Sequence, residues 1–176
     1  MRMLRAAFTK YPIIMNSIFY GTLYVGAEFS QQTITRKLLH QGQPTAYDPY
    51  MITRFGILGV TLYPPIYYYW YRWLDKRFVE KTIKVIGKKL ILDQFVLTPP
   101  LLVLFYVGMS IMEGKKDIFE DCKKKLLPTF QTSCMFWLPA QTVNFLFVPP
   151  TFRVVYIGTC AFVWVNILCF IKRQTH

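Results

Sequence analysis

The sequence predicts an all-α fold: an integral membrane helical bundle of four to five membrane-embedded helices joined by basic amphipathic connectors. Three observations carry this. Of the 176 residues, 53% are hydrophobic and 18% aromatic, more than a water-exposed domain of this size usually carries. The apolar residues fall in five long runs, each with at most one charge. The lysines and arginines that make the net charge +12 lie mostly between those runs. Helices satisfy their backbone hydrogen bonds internally, so they are the natural way to bury such runs in lipid.

The embedded segments are expected at 11–32, 50–71, 90–112, 128–148 and 154–171, within a single membrane domain covering residues 1–176. The first holds Glu28 as its only charge, the second Arg54 and the third Asp93. The uncharged run Leu126–Phe152 is 27 residues long, enough to cross a bilayer. Small residues at Thr22, Gly26 and Ser30 suggest a close-packing face on the first span, with Gly56 and Gly59 on the second. Pro64–Pro65 and Pro99–Pro100 predict bends, because proline frees a carbonyl. The cluster Tyr67–Trp73 reads as an interfacial aromatic belt.

The connectors carry orientation. The N-terminal stretch has three basic residues before any acid, Arg2, Arg5 and Lys10. The loop 72–89 has seven basic residues against two acids, and 113–125 has five against four. The N-terminus and the second loop therefore share the positive side. In 72–89, Leu74, Phe78, Thr82 and Ile86 recur every four residues, as in a helix lying on anionic headgroups. The stretch 113–125 repeats this in miniature, with Ile118, Phe119, Cys122 and Leu126. The start MRMLRAAFTKYP lacks a secretory cleavage pattern; its basic, acid-poor character suits mitochondrial import and positive-inside flanking alike.

Enzyme chemistry is not indicated. His40 and His176 are the only histidines and lie outside the spans. No HExxH, P-loop, GxGxxG or GxSxG pattern occurs, so no catalytic residue, cofactor or metal is assigned. Cys122, Cys134, Cys160 and Cys169 show no metal or disulfide spacing and read as thiols packed among helices.

Polar groups inside the spans are costly unless paired or wet, and so are the candidate functional residues. Asp93, Gln94, Gln141, Asn144 and Arg153 are expected at similar depth, forming an intramembrane polar cluster with an Asp93–Arg153 ion pair. Glu28 and Arg54 form a second expected pair. These groups either lock the bundle or line a polar path.

The ordered set Pro139, Gln141, Asn144–Phe145, Val148–Pro149 and Arg153 resembles the signature of the Mpv-seventeen / peroxisomal membrane protein 22-kDa family, most closely its Mpv-seventeen-like branch. The proline-to-glutamine spacing is one residue shorter than in the family pattern. Asp93–Gln94 with Pro99, Trp70–Tyr71 with Leu74–Asp75, and Trp164 match further family positions, so the resemblance covers nearly the whole chain. Pro64 and Tyr68 stand where the family carries glycine and histidine, and Leu138 where it carries tryptophan. The resemblance implies a multispan protein of the mitochondrial inner membrane or the peroxisomal membrane. It implies channel-like permeation or organelle homeostasis, including mitochondrial DNA maintenance. Besides the lipid bilayer, the basic loops suit anionic lipid such as cardiolipin. They equally suit the mitochondrial ribosome or another membrane protein, in a non-conducting scaffold.

Overall fold

A computed structural model describes residues 10–39, 46–80, 82–148 and 153–173, with the side chains at 38, 39, 75, 145, 146 and 153–155 outside the description. Seven α-helices are formed by the described residues: α1 Pro12–Ile34, α2 Pro49–Thr61, α3 Tyr63–Arg77, α4 Ile83–Leu92, α5 Thr98–Met112, α6 Glu120–Leu146 and α7 Arg153–Arg173. Two π-helical turns, Thr35–Leu39 and Asp93–Leu97, extend α1 and join α4 to α5. Arg2, Arg5, His40, Pro149, Pro150 and His176 lie outside the described residues. The sequence reading takes the chain as one membrane domain; the contacts group it into two compact units, Met1–Val79 and Glu80–His176.

In the first unit α1 packs against α2 and α3. The contact uses Gly21, Tyr24, Ala27, Glu28 and Gln31 of α1, all buried, in place of the expected Thr22 stripe. Thr22 is exposed and donates instead to its own helix at Ile18 O (2.8 Å). The helices approach through reciprocal notches. A β-carbon at Gly21 would lie 2.5 Å from Val60 Cγ2, and one at Gly56 2.9 Å from Val25 Cγ2. At Gly59 it would meet backbone, Tyr20 O, at 2.8 Å. Tyr24 fills the space beyond, its ring 4.9 Å from Tyr63 and 6.3 Å from Phe55. The expected span 50–71 is divided at Leu62, because Pro64 and Pro65 have no N–H to continue the ladder of α2.

The start of α2 is held by side chains. Asp48 Oδ1 accepts from Met51 N (3.0 Å), capping the helix. Gln32 Oε1 accepts from Asp48 N (2.8 Å) while its Nε2 donates to Asp48 O (3.0 Å) and Glu28 Oε1 (2.9 Å).

In the second unit α4, the π turn and α5 form one 30-residue helix, Ile83–Met112. The separate surface helix expected over 72–89 is not formed. Residues up to Arg77 complete α3, and Ile83 onward begins the next helix two turns early. The π turn accommodates Pro99–Pro100: the N–H of Thr98 donates five residues back to Asp93 O, and Thr98 Oγ1 donates to the same carbonyl (2.9 Å). α5 ends in a Schellman motif. Gly114, at φ +67°, donates to Ile111 O (3.1 Å) and Lys115 N to Ser110 O (3.0 Å). α6 begins at Glu120, so the expected small helix at 113–125 becomes a turn and the first turns of α6. The core holds Leu101, Leu102, Phe105, Tyr106 and Met109 of α5 and Val165, Leu168 and Cys169 of α7, and α6 packs against both helices.

Among the described residues, Ile83–Met112 and Tyr156–Arg173 are long and apolar enough to cross a membrane. Large apolar side chains such as Leu104 and Ile111 of α5 and Leu127 and Met135 of α6 point outward, as a lipid-facing surface requires.

Replacing Gly59 by alanine is expected to destabilise the first unit by about 1–3 kcal/mol, because backbone cannot yield to the new methyl. Gly87→Ala, where nothing lies within 4 Å, is expected to stabilise its helix by about 0.5–1 kcal/mol. Thermal unfolding of the two variants in one detergent checks the opposite signs.

Candidate functional site: a polar seam along one helix

Within the second unit, α6 carries a line of buried polar residues at steps of four: Asp121, Lys125, Thr129 and Ser133, with Asn144 buried near its far end. Steps of four keep side chains on neighbouring positions of one helical face. From Asp121 to Asn144 the rise is about 35 Å, comparable to a bilayer's hydrocarbon thickness.

One end of the seam is a cluster of buried charges. Lys172, at the end of α7 and 1% exposed, donates to Glu113 Oε2 (2.9 Å) and to Asp121 Oδ2. Lys115 donates to the same Asp121 oxygen (3.0 Å) and lies 3.5 Å from Glu113 Oε2. Lys125 stands 3.8 Å from Asp121 Oδ1 and donates to the carbonyl of Lys172. Three ammonium groups thus face two carboxylates, leaving one net positive charge. Helix ends favour this placement: Asp121 lies in the first turn of α6 and Lys172 in the last turn of α7. Burial alone would raise the Asp121 carboxyl, but hydrogen bonds from Lys172 and Lys115 outweigh it and hold the pKa down at about 2. Burial likewise opposes the charge on Lys115, and the hydrogen bond from its ammonium to Asp121 overcomes it, raising that pKa. The contacts also fix direction: α7 returns its C-terminus to the turn between α5 and α6, antiparallel to α6.

Farther along, Tyr106 and Thr129 share a 2.6 Å hydroxyl–hydroxyl hydrogen bond. Gln94 Nε2 donates to Ser133 Oγ (3.0 Å) and reaches Cys134 Sγ at 3.3 Å. Ser110 Oγ, Glu113 Oε1, Asn144 Oδ1 and Asn166 Oδ1 are buried with no hydrogen-bond partner among the described residues. Phe136 and Trp137 pack on Trp164 of α7, with ring centroids 5.9 and 6.4 Å apart.

Of the expected cluster of Asp93, Gln94, Gln141, Asn144 and Arg153, Gln94 and Asn144 are buried at different levels of α6. Gln94 meets Ser133, eleven residues before Asn144 on α6. The reason is the early start of α4: Asp93 and Gln94 sit about 15 Å into their helix rather than at its entrance. Asp93 lies half-buried in the π turn, with its carbonyl engaged by Thr98. Gln141 is half-buried on α6, and the side chain of Arg153 lies outside the described residues, so the Asp93–Arg153 pair does too. Among the described residues no ion pair joins Glu28 to Arg54; Glu28 accepts from Gln32 instead. In the sequence, the charges of 113–125 read as part of an amphipathic connector, apart from the polar groups of the spans. The spacing of Asp121, Lys125, Thr129 and Ser133 is the signal that joins them to the apolar run.

Two outcomes follow for the charged end. Asp121→Asn leaves three ammonium groups facing one carboxylate and is expected to cost about 3–5 kcal/mol, more than Lys172→Met, which leaves charges balanced. Unfolding of both variants at pH 7 tests the order. The Asp121 carboxyl is depressed on folding from 3.8 to about 2, so its stabilisation is complete above pH 3.8 and is lost as pH falls toward 2. Melting temperature against pH is expected to drop through that window in the native chain, with the drop reduced in Asp121→Asn.

A profile of the Mpv17 / PMP22 family matches residues 110–169, the stretch that holds most of the seam. An Mpv17-like protein of Xenopus laevis is 31% identical over 175 residues, covering 99% of this chain and 83% of that one. Protein sym1 of Aspergillus oryzae is 29% identical, covering 97% and 96%, and peroxisomal membrane protein 2 of Bos taurus is 26% identical, covering 88% and 80%. No solved structure matches. On its near full-length similarity to these proteins, its all-helical structure and its spans, the chain belongs to the Mpv17 / PMP22 family of helical membrane proteins.

Proposed function

We propose that this protein is a channel-like or permeation-modulating component of an organellar membrane, and that the seam along α6 is its path for small polar solutes. The single observation that carries the reading is the line of buried polar groups on α6 from Asp121 to Ser133, about 18 Å long, with Asn144 buried eleven residues farther on and with Ser110 Oγ, Asn144 Oδ1 and Asn166 Oδ1 left open for water or solute. A seam built only to lock helices would close its hydrogen bonds internally, since an unsatisfied buried polar atom costs about 1–3 kcal/mol. The net positive charge at the Lys172 end favours anions or neutral solutes over cations there. We assign the protein to the mitochondrial inner membrane, on its basic, acid-poor N-terminal stretch; the bovine peroxisomal relative supports the peroxisomal membrane as the alternative.

A second reading rests on the charged cluster itself. Lys172 ties the ends of α5, α6 and α7 together, as a closed and non-conducting scaffold would need, while exposed lysines such as Lys84, Lys88, Lys123 and Lys124 face outward toward a partner or lipid.

Purified protein in planar bilayers separates the two. Conductance that falls at least tenfold in Ser133→Leu, with helical content and melting temperature retained, is the expected result. Folded native protein that stays silent across voltage overturns the permeation reading in favour of the scaffold.

A further inference from the structure

The first unit carries a groove that the seam does not involve. It has a volume of about 570 Å³ and runs between α1 and α3, lined by Asn16, Tyr20, Tyr67, Tyr71, Arg72 and Lys76, with Tyr68 beside Arg72. Tyr20 packs against Tyr67 with centroids 5.3 Å apart, and Tyr67 stacks on Tyr71 at 5.9 Å, forming a continuous aromatic wall. Arg72 and Lys76 are one turn apart and therefore on one face of α3. Arg72 Nη1 donates to Tyr68 Oη (2.9 Å), which holds the guanidinium at the groove while leaving its other N–H groups to a ligand. Among the described residues no carboxylate forms an ion pair with Arg72 or Lys76.

We propose that this groove binds the phosphodiester headgroup of an anionic phospholipid. Two cations at one end supply charge-assisted donors for the phosphate. The tyrosine wall gives the glycerol and first methylenes an apolar surface with hydroxyls at its edge, the amphipathic environment in which tyrosine is enriched at membrane interfaces. Tyr69 and Trp73, 64% and 50% exposed on the same helix, place this part of α3 at headgroup level, where a lipid phosphate meets the groove before a soluble one does. The proposal is independent of the permeation reading, since no residue of the seam contributes to it.

The test uses the full chain in a neutral detergent, titrated by calorimetry with dihexanoyl phosphatidylglycerol, with dihexanoyl phosphatidylcholine and with inorganic phosphate. The expected result is saturable phosphatidylglycerol binding, at least tenfold weaker binding of phosphatidylcholine, and no competition by millimolar phosphate. Lys76→Gln, an exposed position where folding is retained, is expected to weaken phosphatidylglycerol binding about tenfold, the equivalent of one charge-assisted hydrogen bond. Arg72→Gln is expected to do at least as much, with Lys76→Arg close to native. Equal affinity for the two lipids, or binding unchanged in both neutral variants, overturns the proposal. Equal competition by inorganic phosphate overturns the lipid assignment in favour of a soluble anion.

Discussion

The ammonium of Lys172, held between Glu113 and Asp121, is the contact on which the second unit depends. Its partners come from the end of α5 and the start of α6, while Lys172 itself ends α7, so one buried cation fixes three helix ends. Buried ions cost several kcal/mol each, and mutual attraction repays this only with good geometry and further hydrogen bonds. Lys115 and Lys125 supply those bonds, and the left-handed Gly114 brings Glu113 and Lys115 to the same place as Asp121. The cluster specifies an antiparallel arrangement that apolar packing alone would leave degenerate.

The first unit brings its helices together by a different device. Its helices approach at glycine notches, where Val25 and Val60 each fill the space the opposite glycine leaves. In lipid there is little hydrophobic gain from joining two helices, so close van der Waals contact and interhelical hydrogen bonds carry the association. Gln32 supplies the second of these, binding the backbone of Asp48 through both ends of its amide.

The two units present polar groups in different ways. The seam in the second unit is buried and runs lengthwise, whereas the tyrosine groove in the first is open and cationic. The Tyr68 hydroxyl accepts from Arg72 and forms part of the groove wall.

The all-α membrane class and the family were legible because they rest on composition, run length and short motifs, which are local properties of the chain. Helix ends were less so: Ile83 and Glu120 begin their helices well before the apolar runs do, since an amphipathic turn extends a helix as readily as an apolar one. That shift moved Gln94 to Ser133, away from the level of Asn144. The ends of the helices, and therefore which polar groups meet, were decided only by tertiary structure. Lys172 and Asp121 stand far apart in sequence, and nothing local to either says that a single proton-bearing group will join them. The sequence by itself determined that polar groups would be buried in this membrane fold; the antiparallel return of α7 decided their partners, because a buried charge is stable only where a distant helix delivers its counterion.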